Sequence, residues 1–198
     1  MNCETLLIRH GESQYNVYLT KNLDSELTSK GIFQVKETAK YLKDNFNNLD
    51  SFKGITSHYL RCLQTSKIIH EETGINFSVN HAPRESMWSY EFVTIPERSV
   101  EYSDFKWNIP CESNYWEFKK ETHEDFVMRL QSFIEQLNDN VLIVSHAEPV
   151  MLMYEIKLGI KSFSELKDYA SSDLRPFVPN ASMSYLREKE EIWRGKTV

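Results

Sequence analysis

The chain predicts a three-layer α/β/α fold with a mostly parallel central sheet, and three observations carry that expectation. Two short apolar runs, Leu6-Leu7-Ile8 and Val141-Leu142-Ile143-Val144, have the near-continuous hydrophobicity of strands buried on both faces. Segments of helical period lie beside them. Strand and helix signals alternate along the chain, the pattern expected when helices cover both faces of one sheet. With 198 residues, 40% of them hydrophobic and 26% charged, the chain is long enough to bury a substantial core and reads as one domain spanning 1–198.

After the first strand, Thr28 is placed as an N-cap, and Ile32, Val35, Ala39, Leu42 and Phe46 recur at helical spacing. Gly54-Ile55-Thr56-Ser57 reads as a short second strand. Leu60 to Thr73 follows as a helix, with Gly74 as its C-terminal cap. Phe126, Val127, Leu130, Phe133, Ile134 and Leu137 form an amphipathic helical stripe ahead of the strand at 141–144. Pro149 stands where the first turn of a next helix accepts a proline. Met183 to Leu186 reads as a late strand. Residues 83–120 break this rhythm, with nine aromatics (Trp88, Tyr90, Phe92, Tyr102, Phe105, Trp107, Tyr115, Trp116 and Phe118) and no long period. Such a stretch is too aromatic for a disordered linker and reads as an irregular cap over the sheet edge and the site. A satellite hydrophobic cluster without a ligand role is the alternative.

A formal net charge of −6 argues against a nucleic-acid-binding surface. Cys3, Cys62 and Cys111 show no Cys-x-x-Cys spacing and leave one unpaired, which suits a reducing compartment better than a disulfide framework or a zinc site. The opening apolar run is only three residues long and broken by Arg9, so no signal peptide is expected, and no stretch approaches a membrane span. The expectation is a cytoplasmic protein, a monomer or a small oligomer such as a homodimer, with no nucleic-acid or membrane partner.

Two strand ends carry a histidine directly after an apolar run: Ile8-Arg9-His10-Gly11 and Val144-Ser145-His146-Ala147. Between them, Arg61 falls in the first turn after the second strand. If the three strands are parallel, Arg9, His10, Arg61 and His146 meet at one sheet edge, where open α/β sheets bind ligands. Two guanidiniums and a protonated imidazole suit the oxygens of a phosphoryl group, leaving the other imidazole to attack phosphorus. At an effective dielectric near ~20, each unit-charge pair at ~4 Å attracts by roughly 4 kcal/mol before desolvation. First-turn amides after His146, among them that of Ala147, add dipolar stabilisation. Cys3 and Arg9 have Cys-x5-Arg spacing, but the residues between them form a strand rather than a glycine-rich phosphate loop.

These segments resemble the histidine phosphatase superfamily, the phosphoglycerate mutase-like group. Leu7-Ile8-Arg9-His10-Gly11-Glu12-Ser13 with Asn16 is similar to its opening signature, and Leu27-Thr28-Ser29-Lys30-Gly31 with Gln34 to its Leu-Thr-x-x-Gly-x-x-Gln segment. Ser57-x-x-Leu60-Arg61-x-x-Gln64-Thr65 matches its second phosphate-binding motif and Val144-Ser145-His146 its third. Glu121-Thr122-His123-Glu124-Asp125-Phe126 with Arg129 resembles the opening of its late helix, and Pro179-Asn180-Ala181-Ser182 its closing strand lead-in. The resemblance implies His10 as nucleophile and Glu85 as general acid, with Glu91 as fallback. It also implies phosphate contacts from Arg9, Arg61, His146, Asn16, Ser13, Ser57 and the Ala147 amide.

The implied activity is phosphomonoester hydrolysis through a phosphohistidine, needing neither metal nor other cofactor, on a small-molecule phosphate ester. A cofactor-dependent phosphoglycerate mutase-type transferase is the first alternative, and a silent docking module of the same fold the second. The compact chain and its acidic, aromatic 83–120 stretch favour hydrolysis of a monophosphate with an apolar or ring-bearing leaving group. Ala147-Glu148 stands where the family usually has glycine, placing a carboxylate near the site.

Overall fold

The computed structural model describes residues 3–86, 92–96, 106–107, 115–159, 165, 178–187 and 190–195. The first strand, β1 (Glu4–Arg9), is followed by α1 (Ser29–Asn45), β2 (Lys53–Thr56), α2 (Leu60–Thr73) and β3 (Phe77–Val79). Next come β4 (Phe92–Pro96), β5 (Lys106–Trp107), β6 (Tyr115–Lys119) and α3 (His123–Glu135). The described elements close with β7 (Val141–Ser145), α4 (Ala147–Leu158), β8 (Met183–Arg187) and β9 (Glu190–Gly195). The main sheet runs β5-β3-β2-β7-β1-β8-β9. Strands β5, β3, β2, β7 and β1 are mutually parallel, and β8 and β9 add antiparallel at one edge.

Strand alternation sorts the core into two layers. Leu6, Ile8, Leu142 and Val144 face one way and pack with Val35, Ala39 and Leu42 of α1 and Leu63 and Ile69 of α2. Their neighbours Leu7, Val141 and Ile143 face the other way, onto Phe126, Leu130 and Ile134 of α3 and Val150 and Met153 of α4. Burying each such side chain stabilises by about 1.5–3 kcal/mol, which is why these runs must be covered on both sides. The helix ends match their sequence signals. Thr28 accepts from the Gly31 amide, Thr122 and Asp125 close a capping box, and Gly74 ends α2 at φ 79°.

Four readings need adjustment. Ile32 is half-exposed and lies off the buried stripe of α1, and Leu137 falls beyond the end of α3, packed against the core from the loop. Strands β3 and β9 carried too few apolar residues to be placed from the sequence. The 83–120 stretch is not irregular throughout: β4 and β6 pair as an antiparallel ribbon, and β5 extends the main sheet beside β3. Trp88, Tyr90, Glu91, Tyr102, Phe105 and Cys111 lie outside the described residues.

Two glycines let the loop after β1 press onto the start of α1. A Cβ on Gly31 would stand 2.0 Å from the Glu12 carbonyl oxygen, and one on Gly11 2.6 Å from that of Gly31. Glu12 then bonds to Thr28 and Lys30 while its amide donates to Gln34 Oε1. The motif residues Thr28, Gly31 and Gln34 therefore shape the loop that leaves His10. Among the described residues, no helix is long and apolar enough to cross a membrane.

Candidate active site

Register alone brings the chemistry together. Arg9 pairs with Ser145 and Thr56 with Val144, so His10, Ser57 and His146 all emerge at the same edge within one residue of each other. Strand β7 lies between β2 and β1, so His146 is flanked by the other two at roughly the 4.8 Å strand spacing. The rings of His10 and His146 meet edge to face, centroids 5.3 Å apart. Arg61, in the first turn of α2, reaches between them: Nε donates to His10 Nε2 at 3.1 Å and Nη2 to His146 Nδ1 at 3.0 Å.

These contacts assign the proton on the His10 ring. His10 Nδ1 sits 2.6 Å from the Gly11 carbonyl, an acceptor, so it carries the proton and Nε2 holds the lone pair. Burial, then the Arg61 and Arg9 cations, hold the His10 pKa well below its ordinary value. This environment favours the neutral imidazole, the form in which such a ring can act as a nucleophile. Burial with Arg61, His10, His58 and Arg9 does the same to His146. This environment works against the protonated second imidazole expected from the sequence, while Glu85 Oε2, 3.4 Å from His146 Nδ1, works for it. Arg9 is buried; Nη1 donates to the Val178 carbonyl, while Nε has no hydrogen-bond partner among the described residues. A buried guanidinium donor without an acceptor is what an anion would satisfy.

Glu85 follows β3, and its Oε2 lies 3.4 Å from His146 Nδ1 and 3.7 Å from Arg61 Nη2. The side chain as a whole keeps 31% exposure, while its carboxyl is packed against these two partners. Burial raises its pKa against the opposing pull of Arg61 and Arg9, the direction a general acid needs. Ser86 next to it donates to Glu148 in the first turn of α4, so the unusual Ala147-Glu148 pair does bring a second carboxylate to this rim. The Ala147 amide opens α4 directly after His146, among the first-turn amides that lack an intrahelical acceptor.

Other sequence-named residues take supporting places. Asn16 Oδ1 accepts from the Ser13 amide and hydroxyl, each at 3.0 Å, and from Asn180 Nδ2 at 3.2 Å, leaving the Asn16 amide nitrogen to donate. The Ser57 hydroxyl is fully buried and bonds to His146 Nε2 at 2.9 Å, orienting that ring. Thr65 and Gln64 stitch α2 to the loops, through the Gly11 and Leu27 amides.

Some residues that shape the site gave no usable sequence signal. Asp24 accepts the Leu60 amide at 2.7 Å and so caps α2, and the Leu23 carbonyl takes Arg61 Nη1. A short polar turn of this kind looks like any loop. Asn180 and Ala181 both donate to the His10 carbonyl, which explains what the closing Asn-Ala-Ser segment does. Cys62 is a buried thiol whose pKa burial pushes up to about 12, so it is no nucleophile. Cys3 lies at the opposite end of β1 from Arg9, bonded to the Asn138 carbonyl, which removes the Cys-x5-Arg reading. Among the described residues, no group of three or more His, Cys, Asp or Glu side chains is arranged to hold a metal ion.

A parallel sheet that carries Arg9, His10 and His146 at its carboxyl edge, with Arg61 beside them in the first turn of α2, makes an α/β fold with a cationic site suited to an anion such as a phosphoryl group. The family profile described as histidine phosphatase superfamily (branch 1) matches residues 5–197, and the chain belongs to that superfamily. Among curated proteins, it is 30% identical to mouse (Mus musculus) 6-phosphofructo-2-kinase/fructose-2,6-bisphosphatase 1 over 144 residues, covering 71% of this chain and 29% of that protein. The chicken (Gallus gallus) 6-phosphofructo-2-kinase/fructose-2,6-bisphosphatase is 28% identical over 192 residues, 94% of this chain and 39% of that one. The chain thus spans about a third of the length of these relatives. Among solved structures, a mycobacterial glucosyl-3-phosphoglycerate phosphatase superposes with TM-score 0.61 at 16% identity, covering 93% of this chain and 90% of that one. A phosphoserine phosphatase from Entamoeba histolytica, in complex with 3-phosphoglyceric acid, gives 0.58 at 18% identity and 98% of both chains. These structures share the fold.

Proposed function

We propose that this chain is a phosphomonoester hydrolase that works through a phosphohistidine on His10 without a metal ion. The observation that carries the reading is the single Arg61 guanidinium spanning His10 Nε2 and His146 Nδ1, with Glu85 alongside. A phosphoryl group entering here takes over the Arg61 donors and the free Arg9 Nε. That uncovers the His10 lone pair facing phosphorus. Attack by Nε2 forms the N–P bond as the P–O bond to the leaving group breaks, and protonated Glu85 gives its proton to the departing oxygen. Glu85, now a carboxylate, takes a proton from water as the water oxygen attacks phosphorus. The N–P electron pair returns to Nε2 and inorganic phosphate leaves.

Hydrolysis is favoured over a mutase reaction by charge at the rim. Glu148 beside Ser86 adds a carboxylate where a mutase has to retain a doubly phosphorylated intermediate. The bisphosphatase in the name of the curated relatives points the same way. The aromatic composition of 83–120 supports a leaving group with apolar or ring character.

The test is release of phosphate from nitrophenyl phosphate in the presence of chelator, comparing the wild type with His10→Ala. Activity that survives chelation and vanishes with His10, together with an acid-labile phosphoenzyme, supports the mechanism. Inert wild-type protein from mildly acidic to neutral pH refutes it. Conversion of 3-phosphoglycerate to its isomer on bisphosphate priming, without net phosphate release, would assign a mutase instead.

A further inference from the structure

The mechanism leaves one buried charged cluster unused, and that cluster touches the acid loop. Glu121, directly before α3, is met by two arginines. Arg129 donates through Nη2 to Oε1 at 2.6 Å and through Nε to Oε2 at 3.0 Å, a bidentate pair, while Arg84 Nη2 reaches Oε2 at 3.2 Å. All three side chains are largely sequestered, at 7%, 13% and 15% exposure. A buried ion cluster of this kind is seldom a source of stability, since apolar replacements often match it, which leaves geometry as a reason for its presence.

The geometry runs straight to Glu85. Arg129 Nη1, the donor not committed to Glu121, bonds the Ala82 carbonyl and lies 3.4 Å from the Arg84 carbonyl. The intervening Pro83 carbonyl accepts from the buried Ser145 hydroxyl at 2.5 Å, from the residue just before His146. Arg84 itself turns back, with Nη1 donating to the His81 carbonyl at 3.2 Å. Four consecutive carbonyls, 81 to 84, are therefore held by side chains, and the next residue is Glu85.

We propose that Arg129, oriented by Glu121, is a positioning residue that clamps the 82–84 backbone so that the Glu85 carboxyl stays at the leaving-group side of the phosphoryl site. The proposal deepens the hydrolase reading and rests on it for its kinetic consequences. A clamp on the acid matters only when the leaving oxygen needs a proton. Arginine is required because one planar fork must serve a carboxylate and two carbonyls at once, which a lysine ammonium on a flexible stem does not do.

The experiment compares hydrolysis of dinitrophenyl phosphate, whose leaving group departs without protonation, with phenyl phosphate, whose leaving group needs it. The wild type, Glu85→Gln, Arg129→Lys and Glu121→Gln are assayed on both esters. Glu85→Gln is expected to lose about 100-fold or more in kcat/KM on phenyl phosphate and little on the dinitrophenyl ester. Arg129→Lys is expected to show the same selectivity at smaller size, about tenfold or more on phenyl phosphate alone, with Glu121→Gln between it and the wild type. In Arg129→Lys the basic limb of the phenyl phosphate pH profile moves to lower pH, because a released Glu85 is better hydrated. Equal losses on both esters, or no loss on either, overturn the proposal. Hydrogen exchange over residues 81–86 reads the clamp without turnover: faster exchange in Arg129→Lys supports it, and unchanged exchange overturns it. Wild-type protein inert on both esters sinks the hydrolase reading, and the exchange measurement still decides the clamp.

Discussion

Replacing Arg61 with lysine keeps a positive charge at the phosphoryl site but removes the fork that joins its parts. Arg61 Nε and Nη2 bond the His10 and His146 rings at 3.1 and 3.0 Å, Nη1 is held by the Leu23 carbonyl, and the guanidinium lies 4.5 Å over the Tyr59 ring. A lysine ammonium can reach one of these acceptors along one direction. The Coulomb attraction to phosphate survives, at roughly 4 kcal/mol for ~4 Å and an effective dielectric near ~20. What disappears is about two charge-assisted hydrogen bonds, each contributing roughly 1.5–3 kcal/mol. The sum, roughly 3–6 kcal/mol, is a fall of about 10²–10⁴ in kcat/KM. Arg61→Ala, which also loses the charge, is expected to fall further. The assay is nitrophenyl phosphate turnover in chelator, with circular dichroism to show that each variant is folded. If Arg61→Lys stays within about fivefold of the wild type, the guanidinium geometry is not what gathers the phosphoryl group.

Stability should fall as pH drops below about 6.5, because His10, His58 and His146 have depressed pKa values in the fold and bind protons more readily once unfolded. Each contributes a slope of up to about 1.4 kcal/mol per pH unit there, while Glu85, raised in the fold, works in the opposite sense above its unfolded pKa. Urea midpoints at pH 7.0 and pH 5.5 (about one unit below the ordinary histidine pKa) measure this, and equal midpoints would contradict neutral buried rings. Gly31→Ala sets a Cβ 2.0 Å from a backbone oxygen that cannot turn aside, so destabilisation at or above the upper end of the about 1–3 kcal/mol overpacking range is expected. An unfolding midpoint indistinguishable from the wild type would show that the loop after β1 yields.

Particular elements show where sequence reasoning reached and where it stopped. Helix α2 was legible to the residue, because Gly74 and the apolar spacing on Leu60, Leu63 and Ile69 are local signals. The apolar centres of β1 and β7, residues 6–8 and 141–144, were legible too, because burial on both faces calls for hydrophobic side chains, a reason that does not extend to the polar ends Glu4, Thr5, Arg9 and Ser145. Strand β3 was not placed: three residues, with Ser78 between two apolar neighbours, are too few to show a period. Ile32 misled because its spacing fits the apolar stripe while its position near the start of α1 turns it outward. The catalytic candidates were legible as types at strand ends. Ser57 was legible only as a motif member, and its bond to His146 Nε2 needed coordinates.

By itself, the sequence determined the mostly parallel α/β architecture, with Arg9, His10 and His146 at strand ends and Arg61 in the first turn of a helix, because these follow from local period and chain order. Only the tertiary structure decided how they are coupled. Arg61 joining two rings, His10 protonated on the Gly11 side and Arg129 gripping the backbone ahead of Glu85 all link residues tens of positions apart or depend on burial. The physical reason is that proton placement and hydrogen-bond direction are set by what the folded chain packs around a group, and no run of neighbouring residues encodes that environment.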